Sequence, residues 1–255
     1  MTEHFVPTSI ARRMMARMQA THDRRRISVF SGPPGIGKTT AIDAFRARQP
    51  DSVVIAKVSR RHAREVLALQ HVLETVRALS GPGSDILSNS VWKLRQDLFQ
   101  ALCQWAGADP IRARSGTEPS ADELPRLTIV FDEAQNLSRQ AIDALRYWND
   151  TDRCYSPFPL GLIFVGNSEF SLEVDNLGQS VISAAVADRA LYAQAFDYDE
   201  LSDDDLRLFL RAKGLVDPGA VSNILRHFRA PRAVRSLRRV MDLVEDLPDA
   251  VFLGS

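Results

Sequence analysis

Residues 32–39 read Gly32-Pro33-Pro34-Gly35-Ile36-Gly37-Lys38-Thr39 and fit the spacing G-x-x-x-x-G-K-[ST], which suits one task, the holding of a polyphosphate. Glycines let successive backbone N–H groups curl around an anion, and a helix starting near the lysine adds the positive end of its dipole. Lys38 would reach the β- and γ-phosphates, the Thr39 hydroxyl would ligate Mg²⁺, and Thr40 follows beside the same phosphates. ATP and Mg²⁺ are therefore the expected cofactors. Asp132 and Glu133, adjacent acids at the end of an apolar run, supply what the loop lacks. A carboxylate at a strand tip beside such a loop holds the metal, usually through water, and the next one polarises the attacking water. Asp132 is assigned to the metal with Thr39, and Glu133 to the water. Asn167 ends a second apolar run and would hydrogen-bond the γ-phosphate or the water from the far side; its other reading is a turn residue ahead of Ser168. The chemistry these groups predict is Mg²⁺-dependent hydrolysis of ATP to ADP and phosphate.

Two arginines extend the set. Arg189 closes a helix predicted over 181–190, at the rim of the sheet and away from its own loop. From there it would reach a neighbouring subunit's γ-phosphate and stabilise transition-state charge, the alternative being a pair with Asp188 or solvent. Arg232 stands in the first turn of a helix predicted over 231–247 and would lean over the nucleotide, while Arg226, Arg229, Arg235, Arg238 and Arg239 around it read as a solvated helical face. A third basic group, Lys57, Arg60, Arg61 and Arg64, runs without an acid until Glu65. It would track the phosphate backbone of DNA if it lined a pore or filament, or else simply solvate a helix start. No aromatic interleaves it, so base stacking is not indicated.

Positioning these groups takes alternating strands and helices. A buried-looking strand over 27–31 feeds the phosphate loop, and a helical pattern with Ala41, Ile42, Ala44 and Phe45 follows. A strand over 52–58, a helix over 61–79 and another over 90–106 come next, then a loop over 107–125 rich in Pro, Gly and Ser. The runs 127–133 and 160–167 are apolar until a polar C-terminal end, the habit of strands buried on both faces of a helix-covered parallel sheet. A last strand is expected over 191–196, and helices over 205–213, 218–228 and 231–247, the first with Ser202 and Asp205 at capping-box spacing. Ile10, Met14, Met15 and Met18, interleaved with Arg12, Arg13 and Arg17, mark a basic amphipathic helix over 8–20, packed on the core or, alternatively, acting as a DNA arm. The fold class is α/β, a three-layer phosphate-loop domain with a parallel sheet followed by a small all-α lid. The expected divisions are 1–25 (basic helix and linker), 26–199 (nucleotide-binding domain) and 200–255 (helical lid).

Among 255 residues, 32 Lys and Arg balance 32 Asp and Glu, so nothing global argues for nucleic acid and the distribution of charge matters more. Cys103 and Cys154 are too few for a disulfide framework or a zinc site, which suits a reducing cytosol. No apolar run reaches membrane-span length, so the expectation is a cytoplasmic protein with no membrane partner.

In this order, the loop at 32–39, Asp132-Glu133, Asn167, Arg189 and Arg232 resemble the site of an AAA+ ATPase. Within that superfamily, Phe131-Asp132-Glu133-Ala134-Gln135-Asn136-Leu137 and Gly161-Leu162-Ile163-Phe164-Val165-Gly166-Asn167-Ser168-Glu169 look like the transposition ATPases of the phage Mu B, TniB and TnsC type. The resemblance implies a homo-oligomer, ring or helical filament, that assembles on duplex DNA with ATP, selects a target, and recruits and activates a transposase. Hydrolysis would then release it. The stretch before the first strand is shorter than the extra N-terminal DNA-binding domain of the Mu B type, since domains start near 50 residues, so DNA contact is expected at Lys57, Arg60, Arg61 and Arg64. The alternative is an AAA+ ATPase acting on a protein partner, secretion-linked or replication-initiator-like. A small-molecule kinase is disfavoured, because Glu133 and the lid with Arg232 suit water activation and subunit coupling.

Overall fold

Strands β1 (Ile27–Ser31), β2 (Val53–Lys57), β3 (Thr128–Asp132), β4 (Gly161–Val165) and β5 (Ala190–Ala195) form one sheet in the order β2-β3-β4-β1-β5, with every neighbouring pair parallel. The computed structural model describes residues 5–80, 87–115, 126–150, 158–170, 182–230 and 233–247. Parallel order follows from the sequence: β1, β3 and β4 are buried at every position, which only a sheet covered on both faces allows. Side chains alternate between two cores. Ile129, Phe131, Leu162 and Phe164 enter one with helices α3 (Glu65–Ser80), α4 (Val91–Ala106) and α6 (Arg139–Arg146). Val130, Ile163 and Phe30 enter the other with α1 (Ser9–Arg24) and α2 (Lys38–Arg48).

The basic N-terminal helix is thus a structural layer. Ile10, Met14, Met15 and Met18 are buried, Arg13 reaches Glu200 and lies over the Phe196 ring, and Arg17 reaches Gln194 and lies over Tyr192. Two of its arginines are thereby engaged by β5 and the segment after it, and the apolar face of the helix is packed on the core. The second core continues into the C-terminal helices α8 (Asp203–Ala212), α9 (Pro218–Arg229) and α10 (Leu237–Glu245), through Leu206, Leu210, Leu225 and Val240.

Several element bounds differ from expectation. The helix expected from 61 begins at Glu65, because Ser59 and His62 cap each other around a short 3₁₀ turn, Arg60–His62. Within the expected loop 107–125, a short helix α5 (Pro110–Ser115) forms, with proline at its first position. Helix α7 (Ala184–Arg189) gives way to β5 one residue early. The helix expected over 231–247 starts at Leu237, and Arg232 itself lies outside the described residues, as does Cys154. Cys103 is buried, and no helix among the described residues is long and apolar enough to cross a membrane.

Candidate nucleotide site

The phosphate loop leaves β1, Asp132 ends β3, and Asn167 follows β4 by two residues, so three strands deliver their polar ends to one edge of the sheet. Register makes this strict: Asp132 stands opposite Val165, and Phe30 opposite the same Val165 on the other side. Ligands of open parallel sheets bind at this carboxyl edge. Gly35 (φ 79°) and Gly37 (φ 95°) take the left-handed conformation that turns consecutive N–H groups inward. A Cβ on Gly35 would come within 2.2 Å of Ser236 Oγ and 3.1 Å of Arg238 Cβ, so the start of α10 rests directly on the loop, where the Leu237 N–H also donates to Gly35 O at 2.8 Å.

Lys38 Nζ donates to Gly32 O (2.6 Å) and Pro33 O (2.8 Å), folded into the loop it serves. Burial pulls its pKa below the ordinary lysine value; Glu133 and Asp132 oppose that, and Arg238 adds to it. A half-buried ammonium beside a second cation and a cradle of N–H groups is a donor set that fits a polyphosphate. Thr39 Oγ1 donates to Asp132 Oδ2 at 3.1 Å, so hydroxyl and carboxylate already converge. Burial pushes the Asp132 carboxyl up, against the bonds from Thr39 and the Glu133 N–H. Oxygen donors gathered around a desolvated acid fit Mg²⁺.

Glu133 lies in left-handed backbone (φ 60°), and its carboxylate accepts from Gln135 Nε2 at 2.6 Å. Asn167 borders the same cleft with its N–H on Gln135 Oε1 (3.1 Å), while its side-chain oxygen accepts from the Glu169 N–H (3.0 Å). Asn167 therefore stands at the mouth of the site with its side chain turned onto Glu169. The cleft holds about 680 Å³, within the size of small-molecule sites, about 300–1,000 Å³. One wall is apolar: Phe5, Val6 and Ala11 from the N-terminal segment face Phe209, Leu237 and Met241 from the C-terminal helices.

Arg189 is elsewhere. It precedes β5 at the opposite edge of the sheet, where its carbonyl accepts from Arg26 (3.2 Å) and its Nε pairs with Asp150 (3.1 Å) rather than Asp188, leaving the side chain 42% exposed. Lys57, Arg60, Arg61 and Arg64 are exposed beside the site, with Lys57 opposite Asp132 in the sheet. Among the described residues Arg60 and Arg64 make no ion pair, and Arg61 Nε donates to His62.

A family model described as an AAA domain matches residues 21–172, spanning the loop, Asp132, Glu133 and Asn167. The chain belongs to the AAA domain family. Its parallel sheet with flanking and C-terminal helices is the ATPase fold of that family. Among solved structures, Cdc6p from Pyrobaculum aerophilum is similar over 94% of this chain and 61% of that one, with 12% identity and a TM-score of 0.57. This AAA chain therefore spans less than two thirds of that protein's length, and the likeness is one of fold. A Walker-type ATPase of Pyrococcus abyssi covers 91% of this chain and 71% of its own at 15% identity, with a TM-score of 0.44. No curated protein matches the chain by sequence.

The structure brings Gly32 to Thr40, Asp132, Glu133 and Asn167 of this AAA domain together and leaves Arg189 apart. Sequence reasoning missed Arg238, in the first turn of α10 and on the cleft, because the helix start was set six residues too early. The wall formed by Phe5 and Val6 carried no signal, since an apolar pair ahead of a helix has no motif.

Proposed function

We propose that this AAA domain hydrolyses Mg²⁺-ATP at a site completed by a second subunit, and that ATP-bound oligomers grip duplex DNA. In this reading the loop and Lys38 hold the phosphates, Glu133 accepts a proton from the attacking water, and Asn167 orients that water or the γ-phosphate. Thr39 and Asp132 would hold Mg²⁺, which when bound neutralises phosphate charge. Arg232 keeps the lid role expected of it, and Arg238, which borders the cleft, would share that role. Arg189, at the edge away from its own loop, would serve a neighbour.

The observation that carries DNA binding is the exposed run Lys57, Arg60, Arg61 and Arg64 beside the catalytic strand tip. Cations there would contact phosphates from a surface coupled to the nucleotide. The finer reading, a target selector that activates a transposase and is released by hydrolysis, is supported by the phrases at 131–137 and 161–169. A second reading, action on a protein partner, is favoured by a groove of about 390 Å³ between α8 and α9, apolar at Leu215, Val221 and Leu225. Gel shifts on random duplex DNA with ATP, ADP or no nucleotide separate the two. Binding at least tenfold tighter with ATP supports the first, and equal or absent binding in all three states contradicts it.

A further inference from the structure

Gln135 spends its side-chain amide on two residues of the site. Its Nε2 donates to Glu133 Oε2 at 2.6 Å, and its Oε1 accepts from the Asn167 N–H at 3.1 Å. Chemistry fixes this orientation, because the reversed amide would set oxygen against a carboxylate and NH₂ against N–H. The side chain also borders the cleft instead of filling the core.

Its base is braced. Gln135 sits in a 3₁₀ turn, Ala134–Asn136, whose flanks are buried through Ala134 and Leu137, and Asn136 Nδ2 ties the turn to Val58 O at 3.2 Å. Glu133 lies in left-handed backbone (φ 60°), a conformation unfavourable for a residue with a Cβ that persists where the surroundings over-determine it. Lys38 on α2 feels Glu133, Asp132 and Arg238, and on the other side of Gln135 the Glu169 carboxylate accepts from Asn167 Nδ2 at 3.3 Å.

We infer that Gln135 is a positioning residue for hydrolysis: it sets the Glu133 carboxylate relative to Asn167 and so locks the tips of β3 and β4 into one arrangement around the attacking water. The inference rests on the reading of Glu133 as the water-activating group. With one carboxylate oxygen held by the amide, the other is left to the water, and the amide link stops β4 from sliding without β3. Misplacement of a catalytic group by about 1 Å costs on the order of 100-fold.

The test compares the full chain with Glu133→Gln, Gln135→Met and Gln135→Glu, measuring ATPase kcat and KM with Mg²⁺ and duplex DNA, nucleotide affinity, and melting. Met matches the length of Gln without its hydrogen bonds. The expected result is Glu133→Gln inactive but ATP-binding, and Gln135→Met lowered roughly 10- to 100-fold in kcat with KM and ATP affinity within about twofold. Gln135→Glu should fall lower still, since it places a carboxylate against Glu133. If Glu133→Gln is inactive but Gln135→Met keeps kcat within about twofold, or loses KM or melting temperature in place of kcat, the positioning role is overturned while the site reading stands. Wild-type turnover in Glu133→Gln overturns both.

Discussion

Ser9 and Asp205, 196 residues apart, are joined twice: the Ser9 N–H donates to one oxygen of the Asp205 carboxylate at 2.6 Å and its hydroxyl to the other at 2.7 Å. The same carboxylate accepts from the Ser202 N–H (3.0 Å) and hydroxyl (2.9 Å), so one buried acid caps α8 and anchors the segment that walls the cleft. The N-terminal wall and the C-terminal helices therefore form one mechanical unit.

Asp205→Ala should cost about 2–4 kcal/mol, the loss of a cap plus hydrogen bonds to a charged group, and weaken ATP binding through the displaced wall. Hydrogen bonds from Ser9 and Ser202 outweigh burial and hold the Asp205 pKa below its ordinary value. Its contribution is thus complete above the unfolded pKa, near 3.9, and fades as pH falls through the lower folded value. Urea unfolding at pH 7 and below pH 4 should find the wild-type advantage over Asp205→Ala shrinking only in the acid range.

The histidines act in a higher window. His62 and His71 stack with ring centroids 4.0 Å apart, and burial, with His71 and Arg61 adding to it, lowers the His62 pKa to about 4. The unfolded chain binds this proton near pH 6.5 and the folded chain does not, so stability drops as pH falls from about 6.5 toward 4. Urea midpoints at pH 7.5, 6.5 and 5.5 should decline less in His62→Gln than in wild type. Parallel declines would remove His62 from the account.

Thr39 and Asp132 should matter only when magnesium does. Thr39→Ala should weaken ATP affinity roughly 10- to 100-fold in Mg²⁺, the worth of a bond to a charged partner, and by less than about twofold in EDTA. Calorimetry under the two conditions gives the comparison.

Alanine at Arg60, Arg61 and Arg64 should lower DNA affinity without sequence preference and flatten log K against log salt by about one unit per arginine. Unchanged slopes would move the DNA surface elsewhere.

The strands and the loop were legible because burial on both faces forces unbroken apolar runs such as Ile129, Val130 and Phe131, and the acids end such a run at the sheet edge. What stayed hidden was set by distant contacts. Residues 233–236 carry a helical pattern yet are not helical, because Arg235 donates to Leu201 O (2.7 Å) and Asp203 (2.5 Å) and Ser236 stands at the N-cap of α10. Tertiary bonds there outweighed local propensity, which set the start of α10 at Leu237 and put Arg238 in its first turn, on the cleft. Gln135 was readable as part of a phrase, but its partners Glu133 and Asn167 meet only once β3 and β4 lie side by side.

The central claim, a hydrolytic site completed between subunits, is tested most directly by mixing two inactive variants. Arg189→Ala chains keep Glu133, and Glu133→Gln chains keep Arg189, so mixed assemblies contain interfaces with both. ATPase activity of the mixture should exceed that of either variant alone, each of which should be lowered on the order of 1,000-fold. A mixture no more active than its components, or an Arg189→Ala chain active by itself, would contradict it.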